Sequence, residues 1–278
     1  MSRAFPAPAK LNLFLHVVGR RADGYHLLQS LFRFIDCADT VYLDLRDDGS
    51  VTRASALPGV PEAQDLTVRA ARLLQPHAPS GSGVTIRLDK RLPMGGGLGG
   101  GSSDAATVLL ALNRLWGANL SRADLQTLAL QLGADVPVFV FGQTAFAEGV
   151  GEILRPASVP PAWYVVLTPP VQVPTASIFA APELTRDTPP LKIAPFSAGT
   201  GRNDLQPAVV ARYPEVARHL DWLAQFGEAR MTGSGACVFA SFDTEAAARD
   251  VLGRVPGAMR GFVAQGLDRH PLYDFCAG

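Results

Sequence analysis

Apolar and polar positions alternate over residues 11–18, where Leu11, Leu13, Leu15 and Val17 interleave with Asn12, Phe14, His16 and Val18. A period of two predicts a β-strand, and the stretch from Gly19 to Gly24 predicts the turn that ends it. Positions 27–35 are apolar almost throughout and read as a second strand. Val41, Leu43 and Leu45 alternate with Tyr42, Asp44 and Arg46, and Asp47-Asp48-Gly49-Ser50 predicts a hairpin turn back to a strand at 51–53. Helical spacing follows at 66–74, then alternation at Val84, Ile86 and Leu88. An Ala/Leu-rich helix, capped by Ser102 or Ser103, is expected to run to about Trp116. Ser121, with Asp124 three residues on, predicts a capped helix that Gly133 ends. A short hairpin is expected around Gly149-Val150-Gly151.

Pro156, Pro160 and Pro161 mark a domain boundary, giving one domain at 1–158 and a second at 159–278. Beyond it the pattern predicts a strand at 163–168, a short helix at 175–181 and a Pro/Thr/Ser-rich loop at 182–200. A helix at 209–226, interrupted near Pro214, comes next. Strands at 228–231 and 237–242 flank Thr232-Gly233-Ser234-Gly235, and a helix at 244–255 and a strand at 261–264 close the chain. Strands and helices mix without strict alternation, which argues the α+β class rather than a doubly wound sheet.

Composition narrows the functional classes. With 278 residues, 47% hydrophobic and 18% charged, the chain suits one large or two moderate globular domains. Lys plus Arg equals Asp plus Glu at 25 each, so no global field grips nucleic acid or an anionic membrane, and any phosphate recognition is local. Cys37, Cys237 and Cys276 form no C-x-x-C pair, which argues against a zinc site or a disulfide framework and for a reducing, cytoplasmic setting. No segment approaches the roughly 18 apolar residues of a membrane span. Asn12 and His16 interrupt the apolar N-terminal stretch and Arg20-Arg21 follows it, the pattern of a strand rather than a signal peptide.

The strongest chemical signal is Pro93-Met94-Gly95-Gly96-Gly97-Leu98-Gly99-Gly100-Gly101-Ser102-Ser103. Glycine has nothing to pack and is costly to order, so such a run serves where backbone must bend and approach something closely. It empties into a helix N-terminus, where free N–H groups and the positive dipole end favour an anion. The reading is a phosphate cradle for a nucleotide, in which a Cβ at Gly97 or Gly99 would block the approach. A Walker A loop would carry a lysine before the serine, and a Rossmann loop would follow its strand directly, whereas Lys90-Arg91-Leu92-Pro93 intervenes here. A flexible Gly/Ser linker is the bland alternative, disfavoured between an alternating strand and a strong helix.

Three further places carry candidate chemistry. Lys10, Asn12 and His16 share one face of the predicted first strand, and a lysine beside Phe14 must reach water, a carboxylate or a phosphate. Asp135 precedes Pro137, so it is either a helix cap or a carboxylate for a hydroxyl proton. Met231-Thr232-Gly233-Ser234-Gly235-Ala236 is either an ordinary hairpin or a backbone wall against a ligand.

Together, Pro8-Ala9-Lys10-Leu11-Asn12-Leu13, Pro93 to Ala105 and Met231 to Ala236 resemble the three motifs of the galactokinase, homoserine kinase, mevalonate kinase and phosphomevalonate kinase (GHMP) superfamily. Gly19-Arg20-Arg21-Ala22-Asp23-Gly24-Tyr25-His26 and Gly133-Ala134-Asp135-Val136-Pro137 narrow the resemblance to the branch acting on 4-diphosphocytidyl-2-C-methyl-D-erythritol in non-mevalonate isoprenoid synthesis. Asp104 departs from that pattern, where an amide is more usual. The resemblance implies a two-domain fold with a ribosomal-protein-S5-like N-terminal half and a ferredoxin-like C-terminal half; separately, a monomer or homodimer is expected. It implies Lys10 and Asp135 as a catalytic pair, ATP on Pro93 to Ser103, and cytidine near Tyr25, His26 and Phe179 with Thr175 close by; Mg²⁺ is expected with the ATP, its ligands left open between Ser102, Ser103 and water. Asn12 joins the substrate side as a polar neighbour of Lys10. Two other readings stand beside it: a nucleotide-binding regulatory module without turnover, and another small-molecule kinase of the superfamily such as homoserine kinase.

Overall fold

The computed structural model describes residues 2–191 and 201–276. The N-terminal strand β1 (Arg3–Arg20) runs antiparallel to β2 (His26–Arg46), which is the spine of the molecule. Along its other edge β2 takes β5 (Ala145–Glu148) at Ser30–Phe32, β10 (Gly261–Leu267) at Phe34 and Ile35, and β4 (Gly83–Asp89) at Thr40–Arg46. The two apolar stretches expected as separate strands are therefore one strand of 21 residues. The expected hairpin at Asp47–Ser50 does not form. The strand β3 (Val51–Arg53) passes β2 and pairs in parallel with β4, which has taken the antiparallel place beside β2.

Helices α1 (Leu66–Leu74), α2 (Gly100–Leu115), α3 (Arg122–Leu132) and α4 (Val136–Phe141) contribute to one core with β2 and β4, where Val41, Leu43, Val84 and Ile86 meet Val108, Leu112 and Phe139. The strand β6 (Ile153–Pro156) closes the predicted short hairpin with β5. In the C-terminal part, β7 (Trp163–Leu167) lies between β10 and β9 (Val238–Phe242), with the two-residue β8 (Arg230–Met231) at the edge. A second core gathers β7 and β9 with α5 (Thr175–Phe179), α6 (Gln206–Arg212), α7 (Pro214–Leu223) and α8 (Glu245–Gly253). Pro214 splits the expected long helix by opening α7 at its first position. Residues 192–200 of the expected loop lie outside the described residues. A third cluster, including Leu11, Leu31 and Leu98 with Tyr164, Val166 and Phe239, joins strands of both parts, and the β10–β2 pairing makes the sheet continuous. Among the described residues no helix is long and apolar enough to cross a membrane.

Candidate active site

A bulge in β1 decides which side chains enter the site. Lys10 faces Phe34 and Asn12 faces Phe32, but Phe14 then faces Leu31, so Leu13 is an extra residue. One inserted residue exchanges the faces of everything after it. Lys10 and Asn12 therefore share their face with Leu15, Leu28, Ser30 and Phe32, all of which line one cavity. The expected grouping of His16 with Lys10 and Asn12 is corrected by this. His16 turns to the opposite face, where its Nε2 accepts from the Arg202 N–H.

Lys10 is only 2% exposed, so it does not snorkel to water. A buried ammonium needs partners. Its Nζ donates to Asn12 Oδ1 at 2.5 Å, lies 3.4 Å from Asp135 Oδ2 and sits 5.4 Å from the Phe32 ring centre. Asn12 in turn donates to Ser30 Oγ at 2.8 Å, and Ser30 donates to the Phe14 carbonyl at 2.7 Å. Ser30 escaped the sequence reading, although a small hydroxyl inside an apolar run was its signal.

Asp135 does not use its side chain as a cap. It precedes α4 with helical backbone angles and accepts no hydrogen bond from the helix with its carboxylate. Its side chain is 43% exposed and lies on the cavity wall. The carboxylate thus faces open space with the Lys10 ammonium behind it.

The glycine loop is pinned from both parts of the chain. The Lys10 N–H donates to Leu98 O at 3.0 Å, and the Cys237 N–H donates to Gly96 O at 3.1 Å. Gly99, at φ +73°, begins α2 without a side-chain cap, so Ser102 and Ser103 fall inside the first turns rather than before them. Ser103 is buried and donates to Pro8 O at 2.7 Å, while Ser102 lines the cavity. The first N–H with a partner inside the helix is that of Ser103, to Gly99 O, which leaves the preceding N–H groups of α2 without intrahelical acceptors.

Two loop glycines are required by packing within the chain itself. A Cβ on Gly97 would come within 2.2 Å of Thr232 O, and one on Gly99 within 2.9 Å of Phe139. Both glycines admit the protein's own neighbours. The second glycine turn is thus the packing partner of the first as well as a cavity wall, through Gly233, Ser234 and Gly235. Thr232 also accepts the Asn12 N–H at 2.9 Å, and Asn203 Nδ2 donates to the Met231 and Gly233 carbonyls, each at 2.8 Å.

Behind the loop, Lys90 donates to the Asp39 and Asp104 carboxylates, and Asp39 accepts the N–H groups of Arg91 and Leu92. Asp104 Oδ1 is buried with no hydrogen-bond partner among the described residues. Burial raises the Asp104 carboxyl from 3.8 to about 7; Lys90 opposes this, and Asp39 pushes in the same direction. Between those values the folded chain holds a proton that the unfolded chain has released, so Asp104 lowers stability progressively as pH rises through that window. Asp104→Asn is expected to stabilise the protein, with a larger gain in thermal midpoint at pH 8 than at pH 5. An equal gain at both values contradicts the raised carboxyl.

At the other end of the cavity Tyr25 stands 64% exposed at the rim. His26 packs on Phe179 with ring centres 5.0 Å apart. Tyr25, on the same cavity wall, has no ring contact among the described residues. Thr175 Oγ1 lies 2.7 Å from Ser234 Oγ, tying α5 to the second glycine turn. Burial pushes the Cys237 thiol up to about 12, which removes it as a nucleophile.

One cavity of about 770 Å³ is lined by Lys10, Asn12, Tyr25, His26, Gly95, Gly97, Ser102, Asp135, Thr175 and Phe179. Pro93, Met94, Gly96, Leu98, Gly99, Gly100, Gly101 and Ser103 lie off its wall. Leu98 is core, Met94 is exposed and Gly101 opens to solvent at the start of α2. The described residues contain no cluster of three or more His, Cys, Asp or Glu side chains able to hold a metal.

This pairing of a glycine-rich loop at a helix start with a buried lysine and an open carboxylate has known counterparts. Models of the GHMP kinase N-terminal and C-terminal domains match residues 65–143 and 189–261. A 4-diphosphocytidyl-2-C-methyl-D-erythritol kinase of Thiobacillus denitrificans is 80% identical, over 99% of both chains. That of Nitrosospira multiformis is 64% identical, over 97% of this chain and 93% of that protein. A crystal structure of 4-(cytidine 5'-diphospho)-2C-methyl-D-erythritol kinase superposes with a TM-score of 0.80 at 34% identity, covering 96% of this chain and 99% of the other. Methanococcus jannaschii mevalonate kinase shares the fold at a TM-score of 0.67 and 14% identity, covering 96% and 98%. The chain belongs to the GHMP kinases, in the 4-diphosphocytidyl-2-C-methyl-D-erythritol kinase family. It is a phosphotransferase, and ATP use follows from the kinase family.

Proposed function

We propose that the protein transfers the γ-phosphoryl group of ATP to the C2 hydroxyl of 4-diphosphocytidyl-2-C-methyl-D-erythritol. The observation that carries this reading is the Lys10–Asp135 pair, an ammonium buried at 3.4 Å from a carboxylate that caps nothing and faces the cavity. The C2 oxygen attacks the γ-phosphorus as the bond from that phosphorus to the β-bridging oxygen breaks, and ADP leaves. Asp135 accepts or orients the hydroxyl proton. Lys10, 3.4 Å from Asp135, offsets charge on the moving group. Such transfer asks for positioning and charge stabilisation more than covalent chemistry.

ATP phosphates fit the glycine loop and the open N–H groups of α2. Mg²⁺ fits a site built largely by the nucleotide: it prefers phosphate oxygens and water to an all-protein cage, and Ser102 is the nearby loop hydroxyl on the cavity wall. When bound, the ion would neutralise phosphate charge. The cytidine end fits Tyr25, His26 and Phe179, with Thr175 and Asn12 on the same cavity. The division at 158/159 gives an ATP-loop part and a substrate-side part, supported by the two family models falling on either side.

Gly101 tests the cradle separately from the fold. Its Cβ would meet only Leu66, at 3.7 Å. Gly101→Ala is expected to raise helix stability by roughly 0.5–1 kcal/mol and to weaken ATP binding by about tenfold or more, ~1.4 kcal/mol. Calorimetry with an ATP analogue checks this, and unchanged affinity removes the phosphates from this helix start. Gly97→Val instead damages the folded state, because its Cβ collides with Thr232 O.

A substrate panel tests the function as a whole. With Mg-ATP, rapid ADP release is expected with the diphosphocytidyl alcohol and not with homoserine or mevalonate. No ADP release with any of them favours a regulatory module, and release with homoserine alone favours that kinase.

A further inference from the structure

Arg186 is 160 residues from His26 in sequence and beside it in the fold. Its guanidinium is held by four hydrogen bonds. One terminal nitrogen donates to Leu184 O at 3.0 Å, and the other to Phe179 O at 3.0 Å and Ala181 O at 2.7 Å. These carbonyls lie at and just beyond the end of α5 and fix the guanidinium plane. The N–H on Nε donates to His26 Nε2 at 3.2 Å.

Arginine donates and never accepts, and it keeps its proton in proteins. Nε2 of His26 is therefore the bare nitrogen, and the hydrogen of the neutral ring sits on Nδ1. Burial pushes the His26 imidazole below the ordinary histidine range, and the charges of Arg186 and Arg20 push the same way. Among the described residues Nδ1 has no protein partner, and the ring lines the cavity against Phe179. To a ligand such a ring offers one fixed donor and no acceptor.

We infer that Arg186 is a specificity-determining positioning residue: through its bond to Nε2 it locks His26 as an Nδ1–H donor, which selects a pyrimidine with a bare ring nitrogen, as in cytosine, over one with an N–H there, as in uracil. The inference rests on the proposed cytidine-linked substrate. Cytosine N3 accepts from Nδ1–H. Uracil N3–H meets it donor to donor, and two buried donors facing each other leave both unsatisfied. Without Arg186 the ring hydrogen is free to move to Nε2, and Nδ1 then accepts from uracil N3–H. Arg186 touches no reacting atom, so its effect falls on base discrimination rather than on the phosphoryl step.

The test has two arms. Long-range ¹H–¹⁵N spectra of the full protein read the His26 tautomer, with His26→Gln providing the assignment. Parallel kinetics compare kcat/KM for the cytidine substrate and its uridine counterpart. Wild type is expected to show the Nδ1–H form alone. Arg186→Met is expected to lose that single form and to lower the cytidine-to-uridine ratio by about tenfold or more, the range of one unsatisfied buried donor. Arg186→Lys, which returns an N–H donor, is expected to restore most of the discrimination. An Nε2–H ring in wild type, or an unchanged ratio in a folded Arg186→Met, overturns the inference. The wild-type spectrum decides the tautomer even if Arg186→Met does not fold. A wild type that turns over neither substrate overturns the proposed function instead, while the spectrum still decides for or against the lock.

Discussion

Asp135→Asn is expected to bind ATP and substrate as wild type does and to lose most turnover. The side chain makes no capping bond to α4, so the substitution removes nothing from the helix start. Asparagine keeps the shape and an oxygen but cannot take the hydroxyl proton. General-base assistance is typically worth about 10²- to 10⁴-fold, or roughly 3–5 kcal/mol of barrier. Single-turnover transfer at saturating ligands is the measurement. More than about a tenth of wild-type turnover would sink the base assignment, since even weak general-base catalysis exceeds that factor.

Lys10→Met is expected to lose turnover to a similar order by another route. It removes the positive charge beside Asp135 and the moving phosphoryl group, and preorganised charge of this kind is among the largest catalytic terms. Methionine fills much of the same buried volume, so the cavity wall survives, although Asn12 Oδ1 loses its donor. The two side chains sit 3.4 Å apart and are expected to act as one unit. The double variant should then be scarcely slower than the slower single. Multiplicative losses in the double variant would show two independent contributions.

Local signals carried much of the fold. The helix at 66–74 has the limits its spacing predicts, with Asp65 accepting the Thr67 N–H, and the Ser121–Asp124 capping box starts α3 as expected. What the sequence hid was set by partners far along the chain. β3 reads as the return of a hairpin, but its parallel pairing with β4 depends on residues over 30 positions away. The bulge at Leu13, which separates His16 from Lys10 and Asn12, exists only in the pairing with β2. Asp135 before a proline reads equally well as a cap, and only the approach of Lys10 distinguishes its role. The glycines at 97 and 99 are legible as close-approach positions, yet the groups approaching them are Thr232, Phe139 and Lys10 of the same chain. The lysine, the aspartate and the loop were legible because each is an unusual residue type for its local setting. Arg186 was not, because its value lies entirely in a contact with His26.

The position of the new phosphate tests the account most directly. C2 of the methylerythritol unit carries no hydrogen, whereas C1 and C3 do. Proton-coupled ³¹P NMR of the product formed from Mg-ATP and 4-diphosphocytidyl-2-C-methyl-D-erythritol is expected to show one new phosphomonoester resonance without three-bond splitting, beside an intact diphosphate. A doublet or triplet places the phosphate on C3 or C1, and the absence of any new monoester leaves no transfer at all; either result contradicts a Lys10–Asp135 site built for the C2 hydroxyl.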